Sequence, residues 1–97
     1  MYGLIGKMIA LEGKRDELAN ILINGVANMP GCKSYIVAND SADVNGLWVT
    51  EVWEDKEKHA QSLTLPSVVD AISEGRPLIA GFGERFETEP KGGQGLL

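Results

Sequence analysis

The segment Trp48-Val49-Thr50-Glu51-Val52-Trp53-Glu54-Asp55-Lys56-Glu57-Lys58-His59 holds most of the side chains in this chain that could do chemistry. On a strand, successive side chains alternate, so Val49, Glu51 and Trp53 share one face and Trp48, Thr50 and Val52 share the other. A carboxylate between two apolar residues on an inward face needs a charge partner or a raised pKa. Glu51 is therefore either half of a structural ion pair across the sheet or a dimer, or a carboxyl with a raised pKa. Trp53 is either core or interface packing, or a flat surface for an aromatic ligand. His59 falls early in a polar helix, where a solvated role competes with proton transfer. Histidine is the side chain type whose unperturbed pKa suits that task near neutrality.

Other chemistries find little support. With one His and one Cys, a metal site would have to be built from Asp and Glu, and no such cluster occurs, so no metal is expected. The single Cys32 excludes an internal disulfide. It opens an apolar run after Pro30-Gly31, and is either a buried small hydrophobe or a reactive thiol without a nearby cation to lower its pKa. No Ser-His-Asp set can be assembled from a lone histidine. Gly81-Phe82-Gly83 lacks the third glycine and the helix of a dinucleotide loop, and reads as close packing or a bulge. The formal charge of −5 and the scattering of nine basic residues argue against nucleic acid. Lys14-Arg15 is followed at once by Asp16-Glu17, as on a solvated helix face. No apolar run approaches the roughly 20 residues of a membrane span, and the first residues lack a charged-then-apolar leader. The expectation is a cytoplasmic chain that avoids membranes.

The elements that must position these residues follow from hydrophobic period. Tyr2 to Leu11 reads as a central strand, with Leu4, Met8 and Ala10 on one face and Ile5, Ile9 and Leu11 on the other. From Lys14, the residues Leu18, Ile21, Leu22, Val26 and Met29 fall at helical spacing. Asn24-Gly25 could end that helix early, and Met29-Pro30-Gly31 ends it without fail. Cys32 to Asn39 alternates, with Cys32, Ser34, Ile36 and Ala38 opposed to Lys33, Tyr35, Val37 and Asn39. The polar stretch from Asp40 to Gly46, ending in Asn-Gly, predicts a hairpin to the strand Leu47–Glu54. Asp55 caps a short helix from Lys56, and Pro66 starts another through Val68, Val69 and Ile72. Gly81 to Glu89 then alternates as a last strand, with Phe82 and Phe86 on one face.

The order is β-α-β-β-α-β, the second helix broken at Pro66. This predicts an α+β, ferredoxin-like domain over residues 1–89 with an antiparallel sheet, and a glycine-rich tail over 90–97. One sheet face is left without helices. Whether it carries Leu4, Met8, Val49 and Trp53 or the set beside them, it is too apolar for a soluble monomer. A homodimer through that face is expected.

Pro30-Gly31-Cys32-Lys33-Ser34-Tyr35, the polar hairpin, Glu51-Val52-Trp53 leading into a helix with His59, and Pro66-Ser67-Val68-Val69 together resemble the antibiotic biosynthesis monooxygenase (ABM) family. The resemblance runs from the first strand to about Glu89. It implies a dimeric α/β barrel of two ferredoxin-like sheets packed face to face. It also implies oxidation of a small quinol or polyphenol by O2 without metal or flavin, through an electron-rich substrate anion. By the same resemblance Trp53 matches a strand tryptophan of the pocket, and His59 stands where members have an aromatic or polar pocket residue. Val49 takes a strand position that can be polar in catalytic members, and Ser62 stands where many members have a histidine.

His59 and Trp53 are thus the expected catalytic residues, and Val49, Glu51, Ser62 and Arg76 the expected substrate contacts. Arg76 or Arg85 would bind a phenolate or carboxylate. Related dimers that degrade haem use an Asn on the first strand and a His in the later helix. Here those regions show Lys7 and Val68 to Ile72, so no haem and no other cofactor is expected. Two other readings remain: a non-catalytic dimer that binds a small ligand, and an isomerase or decarboxylase working by proton transfer.

Overall fold

The structure is a computed structural model that describes residues 1–96. Its elements are β1 (Tyr2–Ala10), α1 (Arg15–Gly25), β2 (Cys32–Asn39), β3 (Gly46–Trp53), α2 (Lys56–Ser62), α3 (Pro66–Gly75), a 3-10 turn (Arg76–Leu78) and β4 (Ile79–Thr88). The strands lie in the order β2-β3-β1-β4, every neighbour antiparallel. This is the predicted ferredoxin-like α+β architecture. Most of the predicted tail lies beyond β4, and its last residue, Leu97, is outside the described residues.

Directly paired residues of antiparallel strands project to the same side. β1 pairs Leu4 with Glu51, Gly6 with Val49 and Met8 with Leu47. This set faces the helices, where Leu18 and Leu22 of α1 close over Ala10, Leu47 and Val49. A second cluster joins Met29, Trp53 and Val68, with Val26, Cys32 and Leu65 against it. Of the two apolar sets, the one holding Leu4, Met8, Val49 and Trp53 is therefore under the helices. The uncovered face carries Ile5, Ile9, Trp48 and Val52, joined by Ile36 on β2 and Phe86 on β4.

The first helix is shorter than its apolar period predicts. It ends at Gly25 and not near Met29, at the point where α3 crosses. A Cβ on Gly25 would run into the Ala71 side chain and press on the Ser67 carbonyl, so only glycine allows this approach. Val26 and Met29 keep the apolar spacing for another reason. They cap the Trp53 cluster from a turn in which Asn28 takes φ 60°.

The hairpin is present, but its Asn-Gly pair does not work through positive φ. The loop is held by side chains instead: Asp40 Oδ1 accepts from Ala42 N at 2.7 Å and Asp43 Oδ1 from Asn45 N at 3.0 Å. Lys7 Nζ reaches both carboxylates, at 3.2 and 3.0 Å, and Trp48 Nε1 donates to Asp40 Oδ2 at 2.9 Å. The Ala42 amide, the Trp48 indole and Lys7, in that order of effect, hold the Asp40 carboxyl down to about 2. Gly46 is needed for room: a Cβ there would stand 2.9 Å from Lys7 Cε and 3.0 Å from Asp40 Cβ.

Register shifts alter two face assignments. One lies at Lys33, between the pairs Cys32–Trp53 and Ser34–Val52. It turns Cys32 to the Trp53 side with Tyr35 and Val37, against the simple alternation. The other lies in β4, where Gly6 pairs with Arg85 but Met8 pairs with Phe82. The extra β4 residue puts Phe82 and Phe86 on opposite faces, not on one. Phe82 and Arg85 now share the helix-facing side with Glu51. The glycine pair around Phe82 marks this bulge.

Candidate active site

Glu51 lies at the middle of the helix-facing sheet surface, with Leu4 on one side and Tyr35 on the other. Its carboxylate is mostly buried, with 16% of the side chain exposed. Oε1 accepts a hydrogen bond from Trp53 Nε1 at 3.0 Å, and His59 Nε2 stands 3.9 Å from the same oxygen. Burial pushes the Glu51 carboxyl up from its ordinary value. The Trp53 N–H, then His59, then Arg85 work against that rise without cancelling it.

Local structure explains how His59 reaches this oxygen. β3 runs directly into α2, where Asp55 caps the helix by accepting from Lys58 N at 2.8 Å. One turn of helix then swings His59 back over the strand it has just left. Its ring packs edge-on to Trp53, with centroids 5.5 Å apart at 70°, and beside Tyr2 at 5.7 Å. Trp53 is itself only 1% exposed. Its faces belong to the core, and its N–H is what it offers the site.

Beside Glu51 is a hollow of about 300 Å³, lined by Leu4, Gly6, Met8, Val49, Phe82 and Arg85 among others. The wall is apolar except at Glu51, at Lys7 on β1, and at Glu84 and Arg85 of the β4 bulge. At the same edge Glu87 lies 3.9 Å from Arg85 Nη1 and 3.7 Å from Lys56 Nζ, forming a charged rim. A second hollow, about 510 Å³, opens between α1, α3 and the start of β4.

The expected site residues separate into three groups. Glu51 and Val49 line the hollow itself. Trp53 and His59 stand behind Glu51, touching its carboxylate and each other. Arg76 lines the larger hollow, while Arg85 lines the one with Glu51. Ser62 is buried, and its hydroxyl donates to the His59 carbonyl at 2.6 Å within α2. It borders a small separate depression with Pro30 and Leu65. Cys32 packs in the Trp53 cluster, and burial pushes its thiol up, as for a packing residue.

One contributor escaped the sequence reading. Tyr35 pairs with Glu51 across the hairpin, and burial pushes its hydroxyl up, with the Glu51 charge adding to the effect. Hairpin register would have found it, since Asn39 opposite Leu47 extends to Tyr35 opposite Glu51. Arg85 could be matched to Glu51 only by knowing where β4 bulges. Among the described residues, no group of three or more His, Cys, Asp or Glu is placed to hold a metal ion. No helix among them is long and apolar enough to cross a membrane.

Comparison with known proteins gives the same frame. No curated protein matches the chain. A structure from Chloroflexus aurantiacus J-10-fl, named a "putative Antibiotic biosynthesis monooxygenase", is 57% identical, with TM-score 0.95 over 98% of this chain and 97% of that one. One from Deinococcus radiodurans with a similar name is 22% identical, with TM-score 0.78 over 96% and 95% of the two chains. A conserved protein from Methanosarcina mazei Go1 shares the fold at 18% identity and TM-score 0.79, over 93% of this chain and 92% of that one. Residues 1–74 match the family described as antibiotic biosynthesis monooxygenase, which supports a monooxygenase-type function, and the chain belongs to that family.

Proposed function

We propose that this protein oxidises a small quinol or polyphenol with O2, without metal or flavin, using Glu51 to take the substrate's hydroxyl proton. The observation that carries this reading is a buried carboxylate lining an apolar hollow, its affinity for a proton raised by that burial. Such a group is a better proton acceptor than an ordinary surface carboxylate. Trp53 Nε1 and His59 hold Oε1, so Oε2 is the oxygen assigned to the substrate. His59 supports the carboxylate and relays its proton outward, and Arg85 steadies the phenolate across the hollow. Val49 and Leu4 exclude water from the ring. Ser62 holds α2, while Arg76 acts on the part of the substrate that enters the larger hollow.

The step balances without an outside reductant. Deprotonation gives a phenolate, which passes one electron to O2, and the radical pair joins as a C–O bond at a ring carbon. Proton return from Glu51 gives a hydroperoxide. Loss of the ring C–H proton with cleavage of O–O then releases water and leaves a quinone carbonyl. Phenol and O2 become quinone and water, all electrons coming from the substrate.

O2 uptake by metal-free protein, tested against a panel of quinols and phenols, is the direct experiment. Turnover is expected with at least one aromatic and should fall about tenfold to a hundredfold in His59→Ala, as for loss of a proton relay. Folded protein that turns over none of the panel removes the oxidative reading. Product formed equally well without O2 replaces it with proton transfer alone.

The working unit is proposed to be a cytoplasmic homodimer. Its support is the uncovered face carrying Ile5, Trp48, Ile36, 55% exposed, and Phe86, 49% exposed. Light scattering at micromolar concentration should report a dimer. Ile36→Asp should weaken it by about a hundredfold or more, because association would then bury an unpaired charge. A wild-type monomer under those conditions refutes the assignment.

A further inference from the structure

The hollow beside Glu51 adjoins its larger neighbour. Met8 and Phe82 line both. The larger one is walled by Leu18, Leu22, Ala71 and Ile72, and Arg76 is its one charged lining residue among the described residues. Size decides what this pair of spaces suits. A cavity of about 150 Å³ with apolar walls already holds a benzene ring. The hollow beside Glu51, at about 300 Å³, exceeds the need of a single ring, and a further 510 Å³ or so lies beyond it. A bare single-ring quinol would leave water standing against the apolar walls of α1 and α3, which is unfavourable.

Two features keep this trench open. Gly6 forms part of its floor, and a Cβ there would approach nothing closer than Arg85 Cγ at 4.0 Å, so the missing side chain is empty space in the trench. Gly75 presents no side chain where α3 meets Leu18, whose Cδ1 would stand 3.2 Å from a Cβ. At the mouth Phe82 is 71% exposed and Ile72 38%, so apolar surface leads in from solvent.

From this adjacency we infer that the substrate has two parts: a hydroxyl-bearing ring at Glu51 and Arg85, and a hydrocarbon extension that passes Met8 and Phe82 into the hollow between α1 and α3. The inference rests on the reading of Glu51 as the proton acceptor. The charged end of the trench takes the acidic head, and the apolar end takes what has no polar group to satisfy. Discrimination between quinols then comes from the extension, since every phenol offers the same hydroxyl to Glu51.

The n-alkyl esters of 4-hydroxybenzoic acid, from methyl to octyl, separate these contributions by calorimetry on the full chain. They are phenols that bind without being readily oxidised. Affinity should tighten about twofold to fourfold for each added methylene until the larger hollow is filled. Ile72→Glu, a change at a half-exposed wall residue on α3, should flatten that slope and leave the methyl ester within about twofold of wild type. Val69→Glu, on the same helix but outside the trench lining, should leave the slope unchanged. A flat wild-type series overturns the proposal and assigns the groove to another occupant, a second copy of the chain being the first to test. An equal slope in Ile72→Glu and wild type also overturns it, as simple partitioning onto apolar surface. A slope that persists while Glu51→Gln changes neither turnover nor the affinity of any ester overturns the Glu51 reading and the two-part substrate with it.

Discussion

Replacing Glu51 by glutamine is expected to lower turnover by about a hundredfold to ten-thousandfold while leaving the fold intact, the range associated with loss of a positioned general base. Glutamine keeps the shape and can still accept the Trp53 N–H, but it cannot take a proton. The groups that face Glu51 are Trp53 on its own strand, Tyr35 and Cys32 from β2, Arg85 from β4 and His59 from α2. Their combined effect falls short of the desolvation that raises its pKa. Because the base must be ionised, kcat/KM should rise with pH through the folded-state pKa of Glu51. That acid limb should lie above the ordinary value of 4.5.

The same substitution makes a stability prediction of definite sign. A carboxyl whose folded pKa is raised contributes stability that is fully present below its unfolded pKa and lost as pH rises through the folded value. At neutral pH the charged, buried Glu51 therefore weighs against folding, and Glu51→Gln should match or exceed the wild-type Tm. The difference should shrink as pH falls toward and below 4.5. Thermal melts at several pH values, run beside the activity assay, check both halves. Retained turnover, or a wild type more stable than the variant at neutral pH with that advantage lost in acid, would show that Glu51 is a structural ion-pair member only.

Truncation of Trp53 should have the largest effect on stability. Its side chain is among the largest fully buried ones and joins Met29 to Val68 across the sheet. Loss of a buried Trp to Ala costs about 3–5 kcal/mol. In a domain of this size each kcal/mol moves Tm by roughly 4–8 °C, so Trp53→Ala should fall by some 12 °C or more. Trp53→Phe separates the two jobs of this residue. It keeps most of the packing and removes the N–H that Glu51 Oε1 accepts. A hydrogen bond to a charged group contributes about 1.5–3 kcal/mol. Its loss should show chiefly above the Glu51 pKa and should move the acid limb of the rate profile to higher pH. An unmoved limb in Trp53→Phe would mean that the indole does not tune the carboxylate.

Much of the architecture was legible because it depends on local chemistry. Strand alternation, the Asp55 cap, Pro66 at the head of α3 and the polar hairpin each act over a few residues, and each is present. Errors arose where one element meets another. The apolar spacing through Val26 and Met29 mimicked a longer helix, although those residues serve the Trp53 cluster from a turn. Alternation in β2 and β4 gave wrong faces for Cys32 and Phe82, because a single extra residue inverts every side chain beyond it.

Glu51 and Trp53 could be placed on one face of one strand from their spacing, and His59 on the helix that follows. Their types already limited what they could do: a carboxylate among apolar neighbours, an indole with one N–H to give, an imidazole close behind. The sequence by itself thus determined the ferredoxin-like order of elements and the placement of Glu51, Trp53 and His59 on β3 and the helix after it. Tertiary structure decided which of them meets the ligand space. Trp53 turned its faces to the core and its N–H to Glu51, leaving the carboxylate as the group in the hollow. The bulge in β4 chose Arg85 over Arg76 as the cation beside it. Neither outcome can be read from one segment, because burial and opposition are properties of surfaces that distant segments make only by packing together.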